Sequence, residues 1–159
     1  MKKSILVLLT FVPIGVGYIV NFSIALPVVG MLIFYILPLL TSVFWFYLGK
    51  RYADSTWKTI PALLIGNATG IISLLVYLWQ SLLETDQTRN VALTAASQIF
   101  SDSAPVYLLA RFAILFESQP NYIGSTAMVA LNVISFMYMI VIFVLGFLLG
   151  RKLKEKRLE

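Results

Sequence analysis

The reading of the fold turns on Ile5 to Leu48, ILVLLTFVPIGVGYIVNFSIALPVVGMLIFYILPLLTSVFWFYL, a run without one charged residue. A helix rises about 1.5 Å per residue and the hydrocarbon core of a bilayer is about 30 Å thick, so one crossing takes about 20 apolar residues. The run is roughly twice that length and must fold back on itself. Its most polar point, Asn21-Phe22-Ser23, is the expected turn. The pattern predicts a first span over 5–20, with Pro13, Gly15 and Gly17 inside it, and a second over 24–48. Pro27 falls in the first turn of the second helix. Pro38 lies near its middle, where the missing N–H predicts a kink.

Working outward, Gly49 to Lys58 is a short basic loop, with Trp45, Tyr47, Tyr52 and Trp57 around it. Such aromatic residues favour the headgroup level. A third span is expected over 59–83 and a fourth over 123–149, stopping at Gly150 before a charged tail. The outer segment 84–122 holds Glu84, Asp86, Asp102 and Glu117 against Arg89 and Arg111. Its two apolar stretches, Val91 to Phe100 and Val106 to Phe116, are short. They read as helices lying in the outer interface or dipping into it, the second capped by Asp102 or Ser103 with Pro105 in its first turn. A fifth span would place Gln98, Asp102, Pro105 and Arg111 in hydrocarbon, which argues against it. The expected fold is therefore all-α: a single membrane domain over 1–159, built as a four-helix bundle with one or two short interfacial helices between spans three and four.

Orientation follows from charge. Of the twelve Lys and Arg residues, all but Arg89 and Arg111 lie at the N-terminus, in the basic loop or in the tail. A four-span topology gathers these three places on one side. The positive-inside bias makes that side cytoplasmic, with both termini there, in the plasma membrane of the cell. Lys2 and Lys3 followed by an apolar run also resemble a signal peptide, with Ser23-Ile24-Ala25 as a loose cleavage site. Pro27 and the apolar run that follows at once favour retention as the first span.

Composition narrows the chemistry. Charged residues make up 12% of the chain, about half the roughly 25% of a soluble domain. Mean hydropathy is +0.90. The chain has no Cys and no His, which removes thiolate chemistry, the commonest general base and the commonest metal ligand. The expected spans carry no ionisable residue in their interiors, whereas proton relays and charge-coupled carriers depend on such residues. No catalytic residue, metal site or cofactor is expected. The net charge of +5 sits at span ends and not along one face, so nucleic acid is not the expected partner. The expected partners are a bilayer with an anionic cytoplasmic leaflet and a membrane protein or second copy of the chain.

Three groups of residues carry what function the sequence offers. Asn67 and Asn132 are amides inside spans, and Gly66 and Gly70 form a GxxxG stripe around the first. These four serve helix packing or a polar path, since small residues let backbones approach and buried amides bond between helices. Asp102, Arg111 and Glu117 form an outer charge group suited to solubility, ion pairing or lipid phosphate. Lys50, Arg51, Arg151, Lys152 and Lys154 meet lipid headgroups and fix orientation. A second GxxxG run, Gly146 to Gly150, ends at the expected surface. The reading is a non-catalytic interaction or accessory component that binds a membrane partner, a lipid or itself. Its rivals are permeation of a small solute or ion by an oligomer, and a membrane-embedded enzyme acting on lipid with the outer acids and Arg111.

Overall fold

In the computed structural model, residues 2–55, 57–117 and 124–156 are described, and no strand occurs among them. The sequence expectations for Ile123, the start of the fourth span, and for Arg157 in the tail fall outside these residues. Three helical stretches are long and apolar enough to cross a membrane: Lys3–Ser23, Val29–Ala53 and Ser125–Glu155. Two bent pairs bring the candidates to as many as five. The chain is all-helical, with three to five candidate membrane-spanning helices.

The first stretch is α1 (Lys3–Leu9) and α2 (Val12–Ser23). Pro13 has no N–H, so the turn before it tightens, with Ile14 N–H donating to the Phe11 carbonyl at 3.1 Å. The Thr10 carbonyl instead accepts the Thr69 hydroxyl at 2.9 Å, from another helix. The turn expected at 21–23 lies further on. Ser23 closes α2, and the chain reverses over Ile24–Val28, where Val28 adopts φ 59° and Val29 N–H donates to the Pro27 carbonyl at 2.6 Å.

Helix α3 (Val29–Ala53) runs unbroken through Pro38 and past the expected end at Leu48. Thr41 and Ser42 hydroxyls donate back to the Leu37 and Pro38 carbonyls, each at 2.9 Å. Lys50 and Arg51 sit in its last turn, where cations favour the negative end of the helix dipole.

The expected third span is not one straight helix. It divides into α4 (Thr59–Gly66) and α5 (Ala68–Leu78), the latter running into a π-helical turn over Trp79–Leu83, with a 57° bend between them. Asn67 sits at the bend with φ −108° and ψ 8°. Its side-chain amide donates to the Leu63 carbonyl at 2.9 Å. Asn competes for backbone partners in this way, and Gly66 before it is a poor helix former.

Helix α6 (Val91–Asp102) starts on an Asn90 cap, whose side-chain oxygen accepts Leu93 N–H at 3.0 Å. It lies antiparallel to α5, with Ser73 donating to the Ser97 carbonyl at one level and Phe100 packed on Gly70 at the next. Helix α7 (Val106–Ala113, with a 3-10 turn over Ile114–Phe116) leaves at 110° to α6. Pro105 has no N–H to continue α6, and the chain turns there, with Ala104 N–H donating to the Ser101 carbonyl at 3.0 Å and Val106 N–H to the Ala104 carbonyl at 2.7 Å. Contrary to expectation, neither Asp102 nor Ser103 caps α7, and Pro105 itself takes the N-cap position. The pair expected to lie in the outer interface or dip into it reaches inward at one point: Phe100 is 1% exposed, with ring centroids 5.9 Å from Trp45 and 6.4 Å from Phe136, so the end of α6 packs in the core.

Helix α8 (Ser125–Glu155) passes through Gly150, where the sequence predicted its stop, and continues for a further turn and more. Lys, Leu and Glu after Gly150 are good helix formers, and no proline follows to end it. The most extensive packing in the molecule joins α8 to α3 in parallel. Tyr138 donates to the Ser42 hydroxyl at 3.1 Å, Gly146 lies on the Phe46 backbone, and Gly150 lies on Lys50 and Ala53. At Gly49 and Gly146 a single added methyl group would overlap a carbonyl of the facing helix.

The two ends of this bundle differ. At one, Arg89 and Asn90 bond to Gln80, Ser81 and Leu82 lie beside Ser125 and Thr126, and Glu117 accepts Gly124 N–H at 2.6 Å and Ala127 N–H at 3.1 Å. The pair α6–α7 thus begins and finishes at the same end. At the other, Lys3 stands over the Trp57 ring at 5.6 Å and Arg151 donates to the Thr59 hydroxyl at 3.0 Å. The start of α1, the end of α3, the start of α4 and the end of α8 therefore meet there.

Candidate functional site

The residues singled out in the sequence separate into three places. The first is the middle of the bundle. Gly66 faces the Phe143 ring, and Gly70 faces the rings of Phe100 and Phe136, so this GxxxG stripe seats aromatic side chains of the same chain. Asn67 and Asn132 are both buried, and each donates to a carbonyl of its own helix, Leu63 and Met128 respectively. They do not bond each other, and the side-chain oxygen of each has no partner. Thr69 and Ser73 are engaged, on Thr10 and Ser97, while the buried Ser135 hydroxyl, one turn from Asn132, has no partner among the described residues.

The second place is the outer charge group, which the structure does not assemble. Asp102 accepts the Asn21 side-chain amide at 2.6 Å. Glu117 accepts the two N–H groups at the start of α8, where a carboxylate also complements the positive helix end. Arg111 lies exposed on α7. The ion pair among the described residues is elsewhere, between Arg89 and Asp86 at 3.6 Å.

The third place has the shape of a site. Because α8 stays helical past Gly150, Phe147, Arg151 and Lys154 follow at spacings of four and three, with Glu155 four beyond Arg151, and so line one side of the helix. That face meets the loop joining α3 to α4. Together they enclose a groove of about 360 Å³, lined by Ala53, Ser55, Trp57, Lys58, Thr59, Phe147, Arg151, Lys154 and Glu155. Its wall includes the start of α4, where Lys58 is the N-cap and no side chain caps the first turn. Uncapped amides give a helix start partial positive charge. Three cations thus face one carboxylate, and among the described residues none of the three is paired with an acid. Trp57 and Phe147 supply an apolar wall beside them.

Of the five basic residues picked from the sequence, Arg151 and Lys154 line this groove, while Lys50, Arg51 and Lys152 lie outside it. Arg51 is stacked on Tyr47, its guanidinium 4.7 Å from the ring centroid. The sequence reading passed over Ser55, Trp57, Lys58 and Thr59 as groove residues. The signal available was Lys58 directly before a helix start, together with Arg151 and Lys154 three apart on a continuing helix.

No family model, no curated protein and no solved structure matches this chain.

Proposed function

We propose that the chain is a four-span plasma-membrane protein with both termini cytoplasmic, acting as a non-catalytic component that binds a membrane partner. The observation that carries this reading is the gathering of Lys58, Arg151 and Lys154 in one groove, with Lys3 beside it over Trp57, none of them ion-paired with an acid among the described residues. An anionic leaflet attracts each such cation by roughly 1 kcal/mol, which favours the cytoplasmic face for that end. Four crossings agree with the start and finish of α6–α7 at one end: α1–α2, α3, α4–α5 and α8 cross, while α6–α7 enters and returns.

The chain has no cysteine, so single introduced cysteines report position without background. Thr88→Cys and Gly124→Cys should both react with a membrane-impermeant thiol reagent from the face opposite Ser55→Cys. Reaction of those two from different faces would mean five crossings and remove the four-span reading. For function, crosslinking of the full chain in its native membrane is expected to capture a membrane protein, a lipid or a second copy in stoichiometric amount. The permeation alternative has less support, because Thr69 and Ser73 already bond to carbonyls of the same chain. Solute flux through liposomes carrying the purified chain, abolished by Asn67→Leu, would overturn the binding reading.

A further inference from the structure

The geometry points to the groove between the α3–α4 loop and the end of α8 as a binding site for a phosphate-bearing anion, held by Lys58, Thr59, Arg151 and Lys154. This deepens the proposed function, and rests on it only in placing the groove at the cytoplasmic leaflet.

Several features argue for phosphate. The groove's volume of about 360 Å³ falls in the range of small-ligand sites, roughly 300 to 1,000 Å³. Its cations come from two separate parts of the chain, Lys58 before α4 and Arg151 with Lys154 on α8. Among the described residues, the three cations outnumber the one carboxylate in the lining, Glu155, with which none is ion-paired; their repulsion is relieved by an anion seated among them. Arg151 is already oriented: one guanidinium nitrogen donates to Thr59 at 3.0 Å, and its remaining donors keep the fork geometry that matches phosphate oxygens. The uncapped start of α4 adds the positive end of a helix dipole to the same wall. Thr59 brings a hydroxyl whose oxygen accepts from Arg151 and whose proton has no acceptor among the described residues, whereas the Ser55 hydroxyl donates to the Tyr52 carbonyl at 2.6 Å. The apolar side, Trp57 and Phe147, would cover the glycerol portion of a phospholipid. A free phosphate would use the cationic side alone, so the two sources share one chemistry and differ in what touches the aromatic wall.

The full chain, purified in neutral detergent, is titrated separately with phosphatidic acid, phosphatidylglycerol, phosphatidylcholine and inorganic phosphate, and bound ligand is counted by native mass spectrometry. One anionic lipid per chain is expected at concentrations where phosphatidylcholine is retained far less. The double variant Arg151→Gln/Lys154→Gln is expected to weaken that binding about tenfold or more. Lys152→Gln/Lys156→Gln removes the same charge outside the groove and should change binding about twofold or less. Thr59→Val keeps every charge and should still weaken binding. Inorganic phosphate bound with the same dependence on variants identifies a soluble ligand, and binding of lipid alone identifies a headgroup. Equal losses in the two double variants, equal retention of phosphatidylcholine, or an unchanged Thr59→Val would overturn the site. Partner capture and thiol labelling do not enter this readout, so the groove can fail while the proposed function stands.

Discussion

Val28 is the residue where local conformation and side chain disagree most. A branched side chain at positive φ crowds its own backbone, and such positions store about 1 to 3 kcal/mol. Val28→Gly is therefore expected to raise the thermal midpoint in detergent despite the added freedom of the unfolded chain, and a lowered midpoint would count against strain here. The glycines divide by environment in the same way. Nothing lies within 4 Å of a methyl group added at Gly15, whereas one added at Gly146 would overlap the Phe46 carbonyl. Gly15→Ala should be neutral or stabilise by about 0.5 to 1 kcal/mol. Gly146→Ala should destabilise by about 1 to 3 kcal/mol, read as a drop in midpoint. Sequence alone put both glycines in helices, but it carried no sign of which one faces a neighbour. Asn67 was legible as a buried amide. That the helix bends there was not, since Asn132 makes the same side-chain bond, to Met128, within an unbroken α8.

At the scale of elements, long apolar runs reported where helices lie, and turn chemistry decided where they end. The reading of 24–48 and 123–149 as helices stopped each of them short: α3 reaches Ala53 and α8 reaches Glu155. Hydropathy falls where charges begin, yet Lys, Arg and Glu keep a helix going in water as readily as apolar residues do. The groove was illegible for this reason, since Arg151 and Lys154 share a face only if the helix continues. The α6–α7 pair was legible as two short helices, but not how far the first one packs inward: Ser97 and Ser103 bond carbonyls within the chain, which lets the end of α6 pack in the core. Glu117 was read as outer charge and instead holds two N–H groups of α8. Glu117→Ala should cost about 0.5 to 2 kcal/mol, the range for loss of a helix cap. Glu117→Gln retains an acceptor and should cost less, and thermal unfolding of the two variants side by side gives the comparison.

For the molecule as a whole, charge distribution was the most informative sequence signal. Lys3, Lys50, Arg51, Lys58 and Arg151 lie in or beside one cluster of helix ends, although the chain between them crosses most of the fold. What the sequence withheld was the helix pairing, in particular that α3 and α8 are the closest neighbours and run in the same direction. That pairing depends on Gly49, Gly146 and Gly150 facing a partner backbone, which no single-chain pattern specifies. It also has a cost. Parallel helices with touching backbones bring the cationic finish of one against the cationic finish of the other, and among the described residues none of these cations is ion-paired with an acid. Counter-ions screen such crowding over about 10 Å at 0.1 M salt. The protein should accordingly behave like a halophile in miniature: its melting temperature should climb as sodium chloride is raised from low concentration, and climb sooner with a polyvalent anion such as sulfate.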